Sequence, residues 1–294
     1  MKNENNRLVG GISRYFFLLP AAVIYLSVIV APALYSLYIS FYKWNGVAPV
    51  KKFVGLKNYI TLFTKDTTFQ HAIRNNIIWI LMTLIFTIGV ALTLAMLINK
   101  SFKGRTLVRG ILYLPYVLSG IVVSIIWTWV YQPQIGLLTS LLHTMGITSL
   151  STAFLANAGT ALFAVFVAAL WQGVGAPMVL FLSGLQTIPA ELLEASRIDG
   201  AGKFQVFRNI TIPMLSETFV IVFATQIINS MKVFDIIRGM TDGGPGTSTQ
   251  TLATYMVTQT FTFVNYGIGT AIAWTMVFVM MIIVVPYVMY MSKN

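Results

Sequence analysis

The 294-residue chain contains no cysteine, which excludes disulfides, thiolate zinc sites and thiol catalysis. Charge is scarce too: 9% of residues are charged against 57% hydrophobic, a balance too apolar for an ordinary soluble domain. The two histidines, His71 and His143, stand alone without carboxylates at ligand spacing. No metal site and no catalytic residue is therefore expected, and both rings read as solvated. No Gly-x-x-x-x-Gly-Lys-Ser/Thr segment exists to cradle phosphates, so ATP hydrolysis is not expected on this chain. Gly173-Val174-Gly175 begins like a dinucleotide fingerprint but lacks the third glycine; helix bending or close packing is the expected use. The net charge of +11 is dispersed over loops, with no basic stripe or stacking platform for nucleic acid, so contact with anionic lipid headgroups accounts for it.

What is present is apolar length. Runs at roughly 15–41, 73–98, 109–131, 159–183, 215–237 and 266–291 can each cross about 30 Å of hydrocarbon as a helix. The expected architecture is all-α: one polytopic membrane domain over residues 1–294 with about six transmembrane helices. The first run follows Lys2, Arg7 and Arg14 as a signal peptide would, but its length and lack of a small-residue cleavage site make it a retained anchor. An even number of spans puts both termini on one side. With both termini cytoplasmic, a small majority of the basic residues lies inside: those three, Lys100, Lys103, Arg105 and Arg109, then Arg197, Lys203, Arg208 and Lys293. The first outer connector, with Lys43, Lys51, Lys52, Lys57 and Lys65, is also basic.

One polar interval, Gln186–Pro213, has ordered chemistry. Pro189 suits a first helical turn, Glu191 and Glu194 lie near its positive end, and Leu192, Leu193, Ala195 and Ile198 recur at helical spacing. The pattern predicts an amphipathic helix ending about Asp199 and stopped by Gly200, then a second short helix from about Lys203 to Asn209 with Phe204 and Phe207 on one side. Pro213 should reopen the chain into the next apolar run.

Glu194-Ala195-Ser196, Gly200, Ile210 and Ile212-Pro213 together resemble the EAA loop of the membrane permeases of binding-protein-dependent ABC importers, with Ser for the second Ala and Ile for Leu. Pro115-Tyr116, Trp127 and Trp129, Trp171, Gly184-Leu185-Gln186, Ile188-Pro189, and Phe234-Asp235 through Thr241–Pro245 are similar to the carbohydrate-type permeases. Within these they fit the larger-subunit type of the maltose importer and its glycerol-phosphate and oligosaccharide relatives. The resemblance implies a type I ABC importer permease fold in the cytoplasmic membrane, its 186–213 loop coupling to an ATP-hydrolysing subunit through Glu194, Ala195, Ser196, Asp199, Gly200 and Ala201. It implies a second homologous permease, two ATP-binding subunits and an extracytoplasmic solute-binding protein as partners. No cofactor is expected on this chain, ATP and Mg belonging to the partner. The implied cargo is a carbohydrate, passed by alternating access; glycerol phosphate is the alternative, and an ion-coupled secondary transporter is the rival class. The short outer connectors leave solute capture to the binding protein.

Polar side chains inside the spans must face protein or a water-filled cavity. Gln172, Gln226 and Ser230 read either as interhelical glue or as a sugar site. Counting from the family's anchors places substrate contacts at Ala169, Gln172, Gly173, Ala176, Gln226, Ser230 and Val233, with apolar Ala169 and Val233 and no aromatic at Ala176, hence a roomier pocket. Trp171, Trp274 and Tyr255 are the candidate stacking surfaces. Lys232 and Asp235, at i and i+3, have the spacing to pair near the outer end of the fifth span.

Overall fold

The computed structural model describes residues 18–146 and 153–291; Lys2, Arg7, Arg14 and Lys293, used above for orientation, lie outside them. The described chain is mostly helical, with one two-residue ribbon, β1 (Tyr42–Lys43) against β2 (Lys52–Phe53), paired antiparallel in the connector that follows the first helix. Three helices are individually long and apolar enough to cross a membrane: α1 (Leu18–Ser40), α3 (Thr67–Ile98) and the terminal helix, Tyr266–Met291. A short α2 (Lys57–Thr64) leads into α3, whose first turn is capped by Asp66 accepting from the Phe69 amide at 2.9 Å.

The middle runs are broken rather than straight. The third, expected as one span, is α4 (Arg105–Val117) and α5 (Gly120–Val130), bent by 100°. Leu118 is extended and the Ser119 side chain restarts the helix by accepting from the Val122 amide. After α6 (Leu137–Thr144), the fourth run is α7 (Ala161–Gly173) and α8 (Gly175–Gln186), bent by 46° at Val174. The glycine pair there serves both expected purposes. It marks the bend, and a Cβ on Gly175 would lie 3.0 Å from Tyr113 Cα and 3.1 Å from the Leu112 carbonyl, so α8 meets α4 backbone to backbone.

The 186–213 interval contains α9 (Ala190–Ile198) and α10 (Lys203–Met214). The second helix runs past the expected Asn209: a widened turn at Phe207–Thr211 continues into a last turn that contains Pro213. A 70° bend separates α10 from α11 (Ser216–Met231). The fifth run also departs from a single span: α11 ends at Met231, and α12 (Asp235–Met240) starts anew. Lys232 and Asp235 consequently flank a break instead of sharing a helix face, and they do not pair. Among the described residues the one ion pair is Arg238 with Asp242. Helix α12 lies on α5 so closely that a Cβ on Gly120 would stand 2.7 Å from Asp235 Cβ, and one on Gly239 2.6 Å from Ser124 Cβ. A short helix, α13 (Leu252–Val257), precedes α14 (Tyr266–Met291).

Packing divides into three cores. Toward the 186–213 end, Ile88, Ala91 and Ala95 of α3 meet Met178, Phe181 and Leu182 of α8, with Leu215 and Val222. At the opposite end Leu62, Phe69 and Ala72 pack with Met231, Leu252, Ala271 and Ile272. Between α3, α5, α7 and α12 lie Trp79, Val123, Phe166 and Ile237. The apolar window of α1 buries nothing; its polar ties include Trp274 Nε1 of α14 donating to Ser36 Oγ at 3.0 Å and Tyr59 of α2 donating to Ser40 Oγ at 2.8 Å. Outward apolar side chains of this kind suit a hydrocarbon environment.

Candidate functional site

A cavity of about 390 Å³ lies where α3, α4, α7, α8 and α11 converge, within the range of about 300–1,000 Å³ usual for small-molecule sites. Ala169, Gln172, Gly173, Ala176, Gln226, Ser230 and Val233 all line it. They come together because Gln226 and Ser230 sit four apart on one face of α11, while α7 and α8 turn at Val174 around the same space. No Asp, Glu, Lys, Arg or His lines the cavity.

The hydrogen bonds separate the two readings of the polar residues. Gln172 ties helices together: its Nε2 donates at 2.8 Å to the Leu118 carbonyl, an acceptor left over by the break between α4 and α5. Gln226 and Ser230 tie nothing; their side chains have no hydrogen-bond partner among the described residues, and neither does that of Asn229, which also lines the cavity. The Ser230 carbonyl, by contrast, is taken by Asn76 Nδ2 at 3.1 Å.

The candidate stacking residues lie elsewhere. Trp171 faces Trp127, ring centroids 6.0 Å apart, because neighbouring residues on a helix diverge by about 100° and Gln172 already takes the cavity side. Trp274 is engaged with Ser36. Tyr255 is buried and donates to Asp66 Oδ2 at 2.6 Å while accepting from Gln259 Nε2 at 2.7 Å. Burial first, and then the Asp66 carboxylate, push its ionisation above the usual tyrosine range, so it stays a donor. The aromatic surface of the cavity comes from Trp79, Tyr116 and Phe166. Tyr116 belonged to a quoted motif; Trp79 and Phe166 are indistinguishable in sequence from core residues of any apolar helix. His71 and His143 are exposed, as expected, although His71 Nδ1 also lies 2.6 Å from Thr247 Oγ1.

At the 186–213 end, Pro189 is extended and caps α9, and Gly200 has φ +79. The Gly200 amide reaches the Arg197 carbonyl (3.1 Å) and the Ala201 amide reaches that of Ser196 (2.9 Å), a helix stop that needs the left-handed conformation. Ser196 is buried and returns its hydroxyl to the Leu193 carbonyl at 2.8 Å, which explains why a serine fits where the motif has alanine. Glu194, Ala195 and Asp199 are exposed. So are two large apolar side chains flanking the turn, Ile198 (86%) and Phe204 (72%), more apolar surface than a solvated loop presents without a partner. The two clusters, cavity and loop, are joined by α8 and α11.

A family model described as the binding-protein-dependent transport system inner membrane component matches residues 87–292. A probable ABC transporter permease protein of Pyrococcus horikoshii is 34% identical over 95% of both chains. The multiple sugar-binding transport system permease protein MsmF of Streptococcus mutans is 36% identical over 82% of both. Among solved structures, a chain of a bacterial ABC transporter involved in the import of the acidic polysaccharide alginate superposes with a TM-score of 0.83 at 24% identity, covering 98% of this chain and 99% of that one. That likeness shows a shared fold.

Proposed function

The chain belongs to the family of binding-protein-dependent transport system inner membrane components, and from that premise we propose that it passes an uncharged carbohydrate through the cavity between α3, α7 and α11. It is a multi-pass permease subunit of an ABC importer. The observation that carries the choice of cargo is the cavity wall: free amides and hydroxyls, aromatic faces and no charged side chain. Hydroxyl-rich neutral solutes satisfy such groups, whereas glycerol phosphate would bury its charge without a cation. An ion-coupled carrier would place carboxylates there. The sugar-related description of the Streptococcus relative supports the same class.

In this reading Gln172, Gly173, Ala176, Gln226, Ser230 and Val233 bind the solute. ATP and Mg are held by two partner ATP-binding subunits, a second homologous permease completes the pore, and an extracytoplasmic solute-binding protein delivers the cargo. The complex of the alginate transporter with a periplasmic protein supports the last. Glu194, Ala195, Ser196, Asp199, Gly200 and Ala201, with Ile198 and Phe204, dock the ATP-binding subunit. Closure of those subunits moves α9 and α10, and the rigid continuations α8 and α11 carry that motion to the cavity. Such docking drives a change of state only through contacts that differ between the two states.

Two measurements test this. Gln226→Ala with Ser230→Ala removes groups that tie no helices, so uptake per assembled complex should fall by about five- to a hundredfold for two lost hydrogen bonds, with complex yield intact. Unchanged uptake with a lowered melting temperature would show structural glue instead. For orientation, both termini are placed in the cytoplasm. Single cysteines at exposed Ser101 and Gly202 should then resist an impermeant thiol reagent in intact cells while one at Thr67 reacts, and the reverse pattern would invert the topology.

A further inference from the structure

We propose that Thr83 and Thr87 of α3 form a second polar wall of the cavity and hold solute hydroxyls, making α3 a specificity-determining element as well as a scaffold. The proposal rests on the carbohydrate reading of the cavity. Both threonines line it, as do Gln226 and Ser230 of α11. Both are buried by protein, 5% and 3% exposed, and neither hydroxyl has a hydrogen-bond partner among the described residues.

Other threonines in the apolar helices behave differently. A threonine in an apolar helix normally returns its hydroxyl to a carbonyl four residues back, as Thr93, Thr225, Thr270 and Thr275 all do at 2.8 Å. Thr83 and Thr87 bracket a widened π turn, in which the Ile88 amide reaches back five residues to the Thr83 carbonyl, the acceptor that Thr87 would otherwise use. Extra residues of this kind inside α-helices recur at functional sites because they redirect side chains. Thr83 and Thr87 stay one turn apart on a common face, and Trp79, one turn earlier, also lines the cavity. Its ring meets Phe166 edge-on, centroids 5.4 Å apart. Hydroxyls both donate and accept, as do the hydroxyls of a sugar, and two that line the cavity without a protein partner are available to a solute.

The test uses the complete importer with its solute-binding protein, reconstituted in proteoliposomes and probed with radiolabelled trehalose, maltotriose and raffinose. The Thr83→Val/Thr87→Val variant keeps side-chain shape but loses both hydroxyls. Its uptake efficiency for the transported probe should fall about tenfold or more, at normal complex yield. Thr83→Ser/Thr87→Ser should restore uptake to within about threefold, since the hydroxyls return. A valine variant that transports normally while Gln226→Ala/Ser230→Ala is impaired overturns the α3 wall alone. A serine variant as poor as the valine one assigns the threonines to packing and also overturns it. Normal uptake by both the valine and the alanine variants, or no uptake of any probe by the unmodified complex, removes the cavity reading and this proposal with it.

Discussion

Replacing Asn76 with leucine should reduce the yield of folded chain severely and lower its melting temperature in detergent by more than any cavity substitution. Asn76 is 2% exposed. Its Nδ2 donates to the Ser230 carbonyl at 3.1 Å, and its Oδ1 accepts from the Leu252 amide at 2.7 Å. One side chain thus ties the end of α11, where the Ser230 carbonyl also takes the Val233 amide at 3.5 Å, to the start of α13, whose first amide has no intrahelical partner. Asn75 beside it donates to the Thr247 and Gln250 carbonyls at 3.1 and 2.9 Å, so the pair clips α3 to the connector between α12 and α13. Orphaning a buried donor or acceptor costs about 1–3 kcal/mol, so the substitution forfeits about 2–6 kcal/mol, a large fraction of a typical domain stability of about 5–15 kcal/mol. Asn99→Ala, at an exposed helix end, is the matched control. Equal melting temperatures for the two variants would refute the clip.

The second large effect is expected at Gly200. Valine at φ +79 strains the backbone by about 1–2 kcal/mol or more, and the stop that turns α9 into α10 has no alternative for a β-branched residue. The Gly200→Val complex should assemble poorly or hydrolyse ATP without stimulation by the loaded solute-binding protein. Gly200→Asn should retain most coupling, because asparagine tolerates the left-handed conformation. Glu194→Ala, exposed on α9, should weaken docking without altering the fold of the loop, which separates loss of contact from loss of geometry. Wild-type stimulation in Gly200→Val would remove the coupling role from this turn.

Both ends of the molecule bear on how far the chain could be read without coordinates. The bend of the 186–213 loop was legible because its signals are local: Pro189 starts α9, Gly200 stops it, and the Glu194–Gly200 spacing carries the family resemblance that the residue 87–292 match bears out. The glycine pair at 173 and 175 was legible for the same reason. The solute candidates were half legible. Intramembrane polarity picked out Gln172, Gln226 and Ser230, which do share a cavity, but it did not separate Gln172, whose amide holds Leu118, from the two that hold nothing. The stacking guess failed at Trp171, Trp274 and Tyr255 because an aromatic residue's neighbours depend on which way its helix is rotated.

Composition, helical periodicity and turn residues act over a few positions, and they by themselves determined that this chain is all-α, membrane-spanning and interrupted by a bent polar loop at 186–213. Only the tertiary structure decided that the third and fifth runs break, that Asp235 lies on Gly120 without pairing with Lys232, and that Thr83 and Thr87 line one cavity with Gln226 and Ser230. Those outcomes rest on contacts between residues far apart in sequence, where the choice among equally apolar helix faces is made by close packing and by the partners that broken backbone must find.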